Sequence, residues 1–236
     1  MQDRDERILK HIGLYRVSLR AVIEELFFEG KSCDHVIQRL LDDGRIQAVE
    51  GLPDKLSYYQ LTLRETRSRG IPKHRADPRG ARLSEDLAIL WFACMGKRPR
   101  PRLERKPLDK VFGRGPGMGV PHCRENLSET EQVIYRVRAA GPDTDDSRLL
   151  RDIEWWARSG LAHPQLGPYL LEQLYGFVIL VEHPDRAQRL KELVQKREAL
   201  SGIRIHIESV PGQLRLAAIL RERKAKRVGL ENKGTR

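Results

Sequence analysis

Residues Gly176-Phe-Val-Ile-Leu-Val-Glu182 form a short, near-continuous apolar run, the kind of segment that must be covered on both faces. That is the situation of a strand inside a partly parallel sheet flanked by helices, and it constrains everything around it. Pro184 stands where a first helical turn tolerates it, and Leu190, Leu193 and Val194 give the following helix an apolar face. Ile203 to Val210 reads as the next strand and Gln213 to Lys226 as a final helix. Upstream, Glu131 to Arg138 reads as a strand with Val133, Tyr135 and Val137 on one face. Asp145 to Arg158 reads as a helix carrying Leu149, Leu150, Ile153, Trp156 and Ala157, and Pro168 to Leu174 continues helically. Strands joined by helical crossovers of this length are expected to lie parallel and adjacent, with a right-handed connection. The second half of the chain is therefore expected to be a small α/β domain with a mixed sheet.

The first sixty residues have a different pattern. Ile8, Leu9 and Ile12 recur at helical spacing with acids in the first turn, and Gly13 reads as a stop. A second helix opens at Ser18 as candidate N-cap, carries Leu19, Val22, Ile23, Leu26 and Phe27, and ends near Gly30. A third, capped by Ser32 and stopped by Gly44, puts Val36, Ile37, Leu40 and Leu41 on one side and His35, Gln38, Arg39 and Asp42 on the other. Alternating residues from Ile46 and from Leu56 to Thr62, around the turn-rich tip Glu50 to Lys55, predict a hairpin. Helix, helix, helix, hairpin is the outline of a winged helix-turn-helix, which docks its third helix in the major groove of DNA.

In that reading His35, Gln38 and Arg39 meet the base edges, Arg bidentate to guanine and Gln to adenine, while Lys31, Arg45 and Lys55 touch phosphates. The alternative is an ordinary solvated helix face. Tyr58 and Tyr59 are expected to pack the hairpin rather than contact DNA. A third use of the module is protein association, which Asp34, Asp42, Asp43, Glu50 and Asp54 around the same surface would suit.

Charge sharpens the choice. The chain has 236 residues and a net charge of +11, enough length for two domains and enough charge to draw polyanions. The excess is uneven: residues 1–63 carry 9 Lys/Arg against 11 Asp/Glu, residues 64–110 carry 14 against 6, and the remainder 21 against 16. The supposed reading head is slightly acidic, so DNA affinity would have to come from the segment after it. There, residues 64–82 are polar, with two prolines and two glycines, and read as a basic linker, either a phosphate-tracking arm or a plain tether. Leu83 to Cys94 reads as a helix opening the second core. Lys97, Arg98, Arg100 and Arg102 then form a proline-stiffened basic strip, the second candidate phosphate contact.

Enzyme signatures are weak throughout. Gly113 to Gly119 lacks the Gly-Lys-Ser/Thr of a phosphate loop, and Cys33, Cys94 and Cys123 are too far apart for a C-x-x-C pair. His122, His163, His183 and His206 show no ligand spacing, no nucleophile frame is present, and Trp155 and Trp156 are expected to pack. No run is long enough to span a membrane and the first residues lack a signal-peptide core, so a cytoplasmic location without membrane contact is expected.

LLDDGRIQAVEG with SYYQLT, then LSEDLAILWFAC, then VIYRVR with YGFVILVEHPDRAQRLKELV together resemble the replication-relaxation family of plasmid and mobile-element proteins. The resemblance spans most of the chain but rests on apolar patterns. It implies a winged helix (1–63), the linker (64–82), an α/β domain similar to the PD-(D/E)xK nuclease fold (83–226) and a basic tail (227–236). Such a nuclease needs clustered carboxylates and a lysine to hold Mg²⁺. The corresponding strand here reads Tyr135-Arg136-Val137-Arg138, and Glu104-Arg105-Lys106 is only a chance-level triplet. The expected function is therefore non-enzymatic binding of double-stranded DNA in replication control or transcriptional regulation, without cofactor or metal. The C-terminal domain is expected to serve a homodimer or a partner protein. The alternatives are a metal-dependent nuclease and a protein-interaction adaptor.

Overall fold

The computed structural model describes residues 2–71, 81–96, 98–113 and 120–231. The chain divides into two compact units, Met1–Leu87 with Pro211–Arg236, and Ala88–Val210.

The first unit is built on α1 (Gln2–Tyr15), α2 (Arg20–Phe28) and α3 (Asp34–Asp42), followed by the antiparallel hairpin β1 (Ile46–Glu50) and β2 (Ser57–Leu61). Ile8, Leu9, Ile12, Ile23, Ile37, Leu40 and Ile46 are buried together. Burial of each such side chain contributes on the order of 1.5–3 kcal/mol, which holds three short helices that could not persist alone. Tyr58 and Tyr59 are buried, as expected for hairpin packing. Gly13 does not stop α1: a Cβ there would lie 3.0 Å from Ile71 and 3.2 Å from Leu61, so the glycine permits close packing inside a helix that runs on to Tyr15. Ser18 is not the cap of α2 either. Its backbone exchanges two 2.8 Å hydrogen bonds with Tyr59, tying the α1–α2 connection to the hairpin, and its hydroxyl lies 3.1 Å from His11 Nε2. Nor is Ser32 the N-cap residue of α3, which is Cys33 with no side-chain cap bond; the Ser32 hydroxyl, one residue earlier, accepts from the N–H of Asp34, the first residue of the helix. Gly44, with φ of 64°, does end it.

Part of the expected linker is helical. α4 (Leu63–Ser68) is capped by Thr62, whose hydroxyl accepts from Glu65 N–H at 3.2 Å and donates to the Gly44 carbonyl at 2.8 Å. Residues 72–80 of that linker lie outside the described residues. α5 (Ala81–Cys94) begins in this unit and ends in the other.

The unit is completed from the far end of the chain. In α10 (Gln213–Glu231), Leu216 and Ala217 are buried, Arg221 pairs with Asp54 at the hairpin tip, and Gln213 donates to the Ser84 hydroxyl at 2.8 Å. The compact units thus divide at 87/88 and 210/211 rather than at 82/83 and 226/227, because the last helix groups with the N-terminal unit and pairs with its hairpin tip.

The second unit has α6 (Arg105–Phe112), β3 (His122–Asn126), β4 (Gln132–Ala139), α7 (Asp146–Leu161), α8 (Gly167–Leu171), β5 (Tyr175–Val181), α9 (Pro184–Gln195) and β6 (Arg204–Ser209). The sheet order is β3-β4-β5-β6, antiparallel at the first pair and parallel at the other two. All of β5 is buried, as its composition requires. Tyr175, Phe177, Ile179 and Val181 face a core that includes Phe112, Leu150, Ile153 and Leu190. The chain is thus a mixed α and β protein with a mixed, partly parallel sheet. No helix among the described residues is long and apolar enough to cross a membrane.

Candidate nucleic-acid interface

Helical phase decides what α3 offers. Val36, Ile37 and Leu40 are buried, so the solvent face is Asp34, His35, Gln38 and Asp42. His35 and Gln38 therefore stand where the sequence puts them. Gln38 Nε2 donates to Asp42 at 2.8 Å, and the His35 ring meets Phe28 edge-on at 6.2 Å. Beside this face is a cleft of about 520 Å³, with Ile37, Leu41, Ala48 and Tyr59 as apolar wall and Arg20, Asp34, His35, Gln38 and Ser57 as polar rim. Arg20 pairs with Asp34 at 2.5 Å across it.

The expected arginines are elsewhere. Arg39 points to α1, with Nη2 2.7 and 2.8 Å from the two carboxylate oxygens of Asp5. It lies beyond the edge of the exposed face and is tied there. Arg45 is drawn into a ring of charges with Glu6, Glu65 and Arg69: Arg45 Nη2 lies 2.6 Å from Glu6 and 3.0 Å from Glu65, and Arg69 reaches both acids at 2.7 Å. Burial raises the Glu65 carboxyl, but Arg45 and Arg69 outweigh it and hold it below its ordinary value; hydrogen bonds from the same two arginines lower Glu6. Both arginines expected at the DNA are thus engaged within the protein. Lys31 and Lys55 are exposed.

In the second unit the basic strip is divided in the same way. Lys97 lies outside the described residues. Arg98 is exposed, 3.6 Å from Glu125. Arg100 is 6% exposed, 3.2 Å from Glu125 and 3.0 Å from Glu208, with its guanidinium 4.5 Å from the Phe92 ring centre. It is a core ion pair and is withdrawn from the phosphate-contact set. Arg102 is half-buried and bridges by its backbone to Cys123. Arg64 and Arg67, in the basic segment read as a phosphate-tracking arm or a tether, are exposed on α4.

The remaining candidates for chemistry are dispersed. Cys33 and Cys123 are buried free thiols, each pushed up to about 12, chiefly by burial. His122 is buried, 2.8 Å from the Tyr175 hydroxyl and 2.9 Å from the Val120 carbonyl, and burial pushes its imidazole down to about 4. His206 lies 2.9 Å from Glu208. Arg136, buried on β4, stacks over Trp156 at 3.6 Å. Among the described residues no three His, Cys, Asp or Glu side chains are grouped to hold a metal. Glu104 is the N-cap residue of α6 and makes no side-chain cap bond; residues 114–119 of the glycine-rich loop lie outside the described residues. No family model, curated protein or solved structure matches the chain.

Proposed function

We propose that the N-terminal unit is a winged helix-turn-helix and that the chain is a non-enzymatic, double-stranded-DNA-binding protein. In this reading it belongs with the replication-relaxation proteins of plasmids and mobile elements and acts in replication control or transcriptional regulation. The observation that carries this reading is the uncovered polar flank of α3, with His35 and Gln38 outward, beside a hairpin tied to the helices through Ser18 and Tyr59. A helix presented in this way can enter a major groove. Gln38 and His35 serve as base readers, and Lys31, Lys55, Arg64 and Arg67 supply phosphate contacts in place of Arg39 and Arg45.

A second reading has its own observation. The exposed face of α3 carries Asp34 and Asp42, and both neighbouring arginines are bound to acids, so the face suits a protein partner with basic side chains. Neutralising the two acids separates the readings. Asp34→Asn with Asp42→Asn removes repulsion from phosphates, so duplex affinity is expected to rise several-fold at low salt, while Gln38→Ala lowers it by about 1–3 kcal/mol on a cognate site. Duplex binding that is absent at low ionic strength, or indifferent to all three changes, would overturn the DNA reading. Loss of a co-purifying basic partner in the same double variant would support the adaptor.

A further inference from the structure

α7 carries an unusual outer face. At about 100° per residue, Arg148, Arg151, Trp155 and Arg158 fall within a sector roughly 80° wide, opposite the buried Leu149, Leu150, Ile153, Ala157 and Gly160. All four are exposed, and the Trp155 indole, at 60%, is among the most exposed large hydrophobic side chains in the protein. Its neighbour Trp156 does pack, stacked on Phe177 with ring centres 6.4 Å apart. The expectation that both tryptophans pack is therefore half corrected.

The acids of the same helix are committed elsewhere. Asp145 caps it by accepting from Arg148 N–H at 2.7 Å, Asp146 holds Arg186 and Arg189, and Glu154 pairs with Arg197. Asp152 is half-buried; burial lowers the Arg136 guanidinium below its ordinary value, and the charge of Asp152 offsets part of that. By contrast, the guanidinium groups of Arg148, Arg151 and Arg158 make no ion pair or hydrogen bond among the described residues. The stripe is three cations without an ion pair among the described residues around a largely exposed indole, spread over about 15 Å of helix.

We infer that this face of α7 binds single-stranded nucleic acid, one unpaired base stacking on Trp155 and the flanking phosphates meeting Arg148, Arg151 and Arg158. Charge complementarity selects a polyanion, and the indole selects an unpaired strand within that class. A base inside a duplex already has both faces stacked, whereas a single strand offers a free π-face that any indole can accept. Guanidinium groups match phosphate oxygens bidentately, and exchange of condensed counterions supplies the affinity. Stacking on an indole and ion pairing with phosphates do not depend on which base is present, so binding there tolerates any sequence. The site lies in the second unit and does not depend on how α3 is used.

The test is titration of labelled oligothymidylate, oligouridylate and a mixed-sequence duplex into the intact protein at low salt, read by anisotropy and by tryptophan quenching. Single strands are expected to bind wild type with quenching. Trp155→Ala is expected to weaken them about tenfold, with Trp155→Phe recovering part of the loss and the duplex unaffected. Replacing Arg148, Arg151 and Arg158 together by alanine is expected to flatten the salt dependence of single-strand binding. These side chains are exposed, so circular dichroism should be unchanged. Single strands that fail to bind, or bind Trp155→Ala as tightly as wild type, overturn the proposal. Binding of one strand type alone, lost in Trp155→Ala, supports it and identifies the natural strand.

Discussion

At the scale of the residue, the chain's arginines divide into those that hold the protein together and those that face outward, and nothing in the identity of the residue tells them apart. Arg39, Arg45 and Arg100 each meet a carboxylate contributed from a distant part of the chain. Arg148, Arg151 and Arg158 meet none among the described residues. Arg100 is the clearest structural case, since it and Glu125 are both buried. Arg100→Ala leaves Glu125 without its strongest partner in a poorly hydrated site. Loss of one member of a buried ion pair costs about 3–5 kcal/mol, so denaturant unfolding of the second unit is expected to shift by that order while nucleic-acid affinity stays constant. Weakened DNA binding with unchanged stability would instead return Arg100 to the phosphate-contact set.

Among the elements, those with strong apolar periodicity are where the spacing puts them: α3, α7, β4, β5 and β6 all match their expected positions within a few residues. The elements that escaped include α4 and β3. α4 is almost entirely polar, yet Thr62 and Glu65 spell the S/T-x-x-E pattern of a capping box, a signal available in the sequence. β3 reads His-Cys-Arg-Glu-Asn, with no alternation of apolar residues, and becomes a strand only because β4 offers it a hydrogen-bonding edge. The Thr62 cap can be measured. Thr62→Ala removes the bond to Glu65 N–H and the donor to Gly44, and is expected to cost about 1 kcal/mol in the N-terminal unit, seen as a lower denaturant midpoint at constant slope. No change in midpoint would mean that packing alone holds α4.

For the molecule as a whole, the N-terminal unit is not continuous in sequence. It includes α10, in which Leu216 and Ala217 are buried and Arg221 pairs with Asp54 at the hairpin tip. A chain ending at Val210 is therefore expected to unfold its N-terminal unit at lower temperature while the sheet unit melts as before. Coincident, unshifted transitions would show that α10 is dispensable. The sequence by itself determined most of the element types, the parallel core strand and the slightly acidic character of residues 1–63, because burial leaves a periodic apolar imprint and charge can be counted. Only the tertiary structure decided which cations are spent on carboxylates, which tryptophan is bare and which unit owns the last helix. Ion pairing and docking join residues tens of positions apart, and no local pattern records the partner.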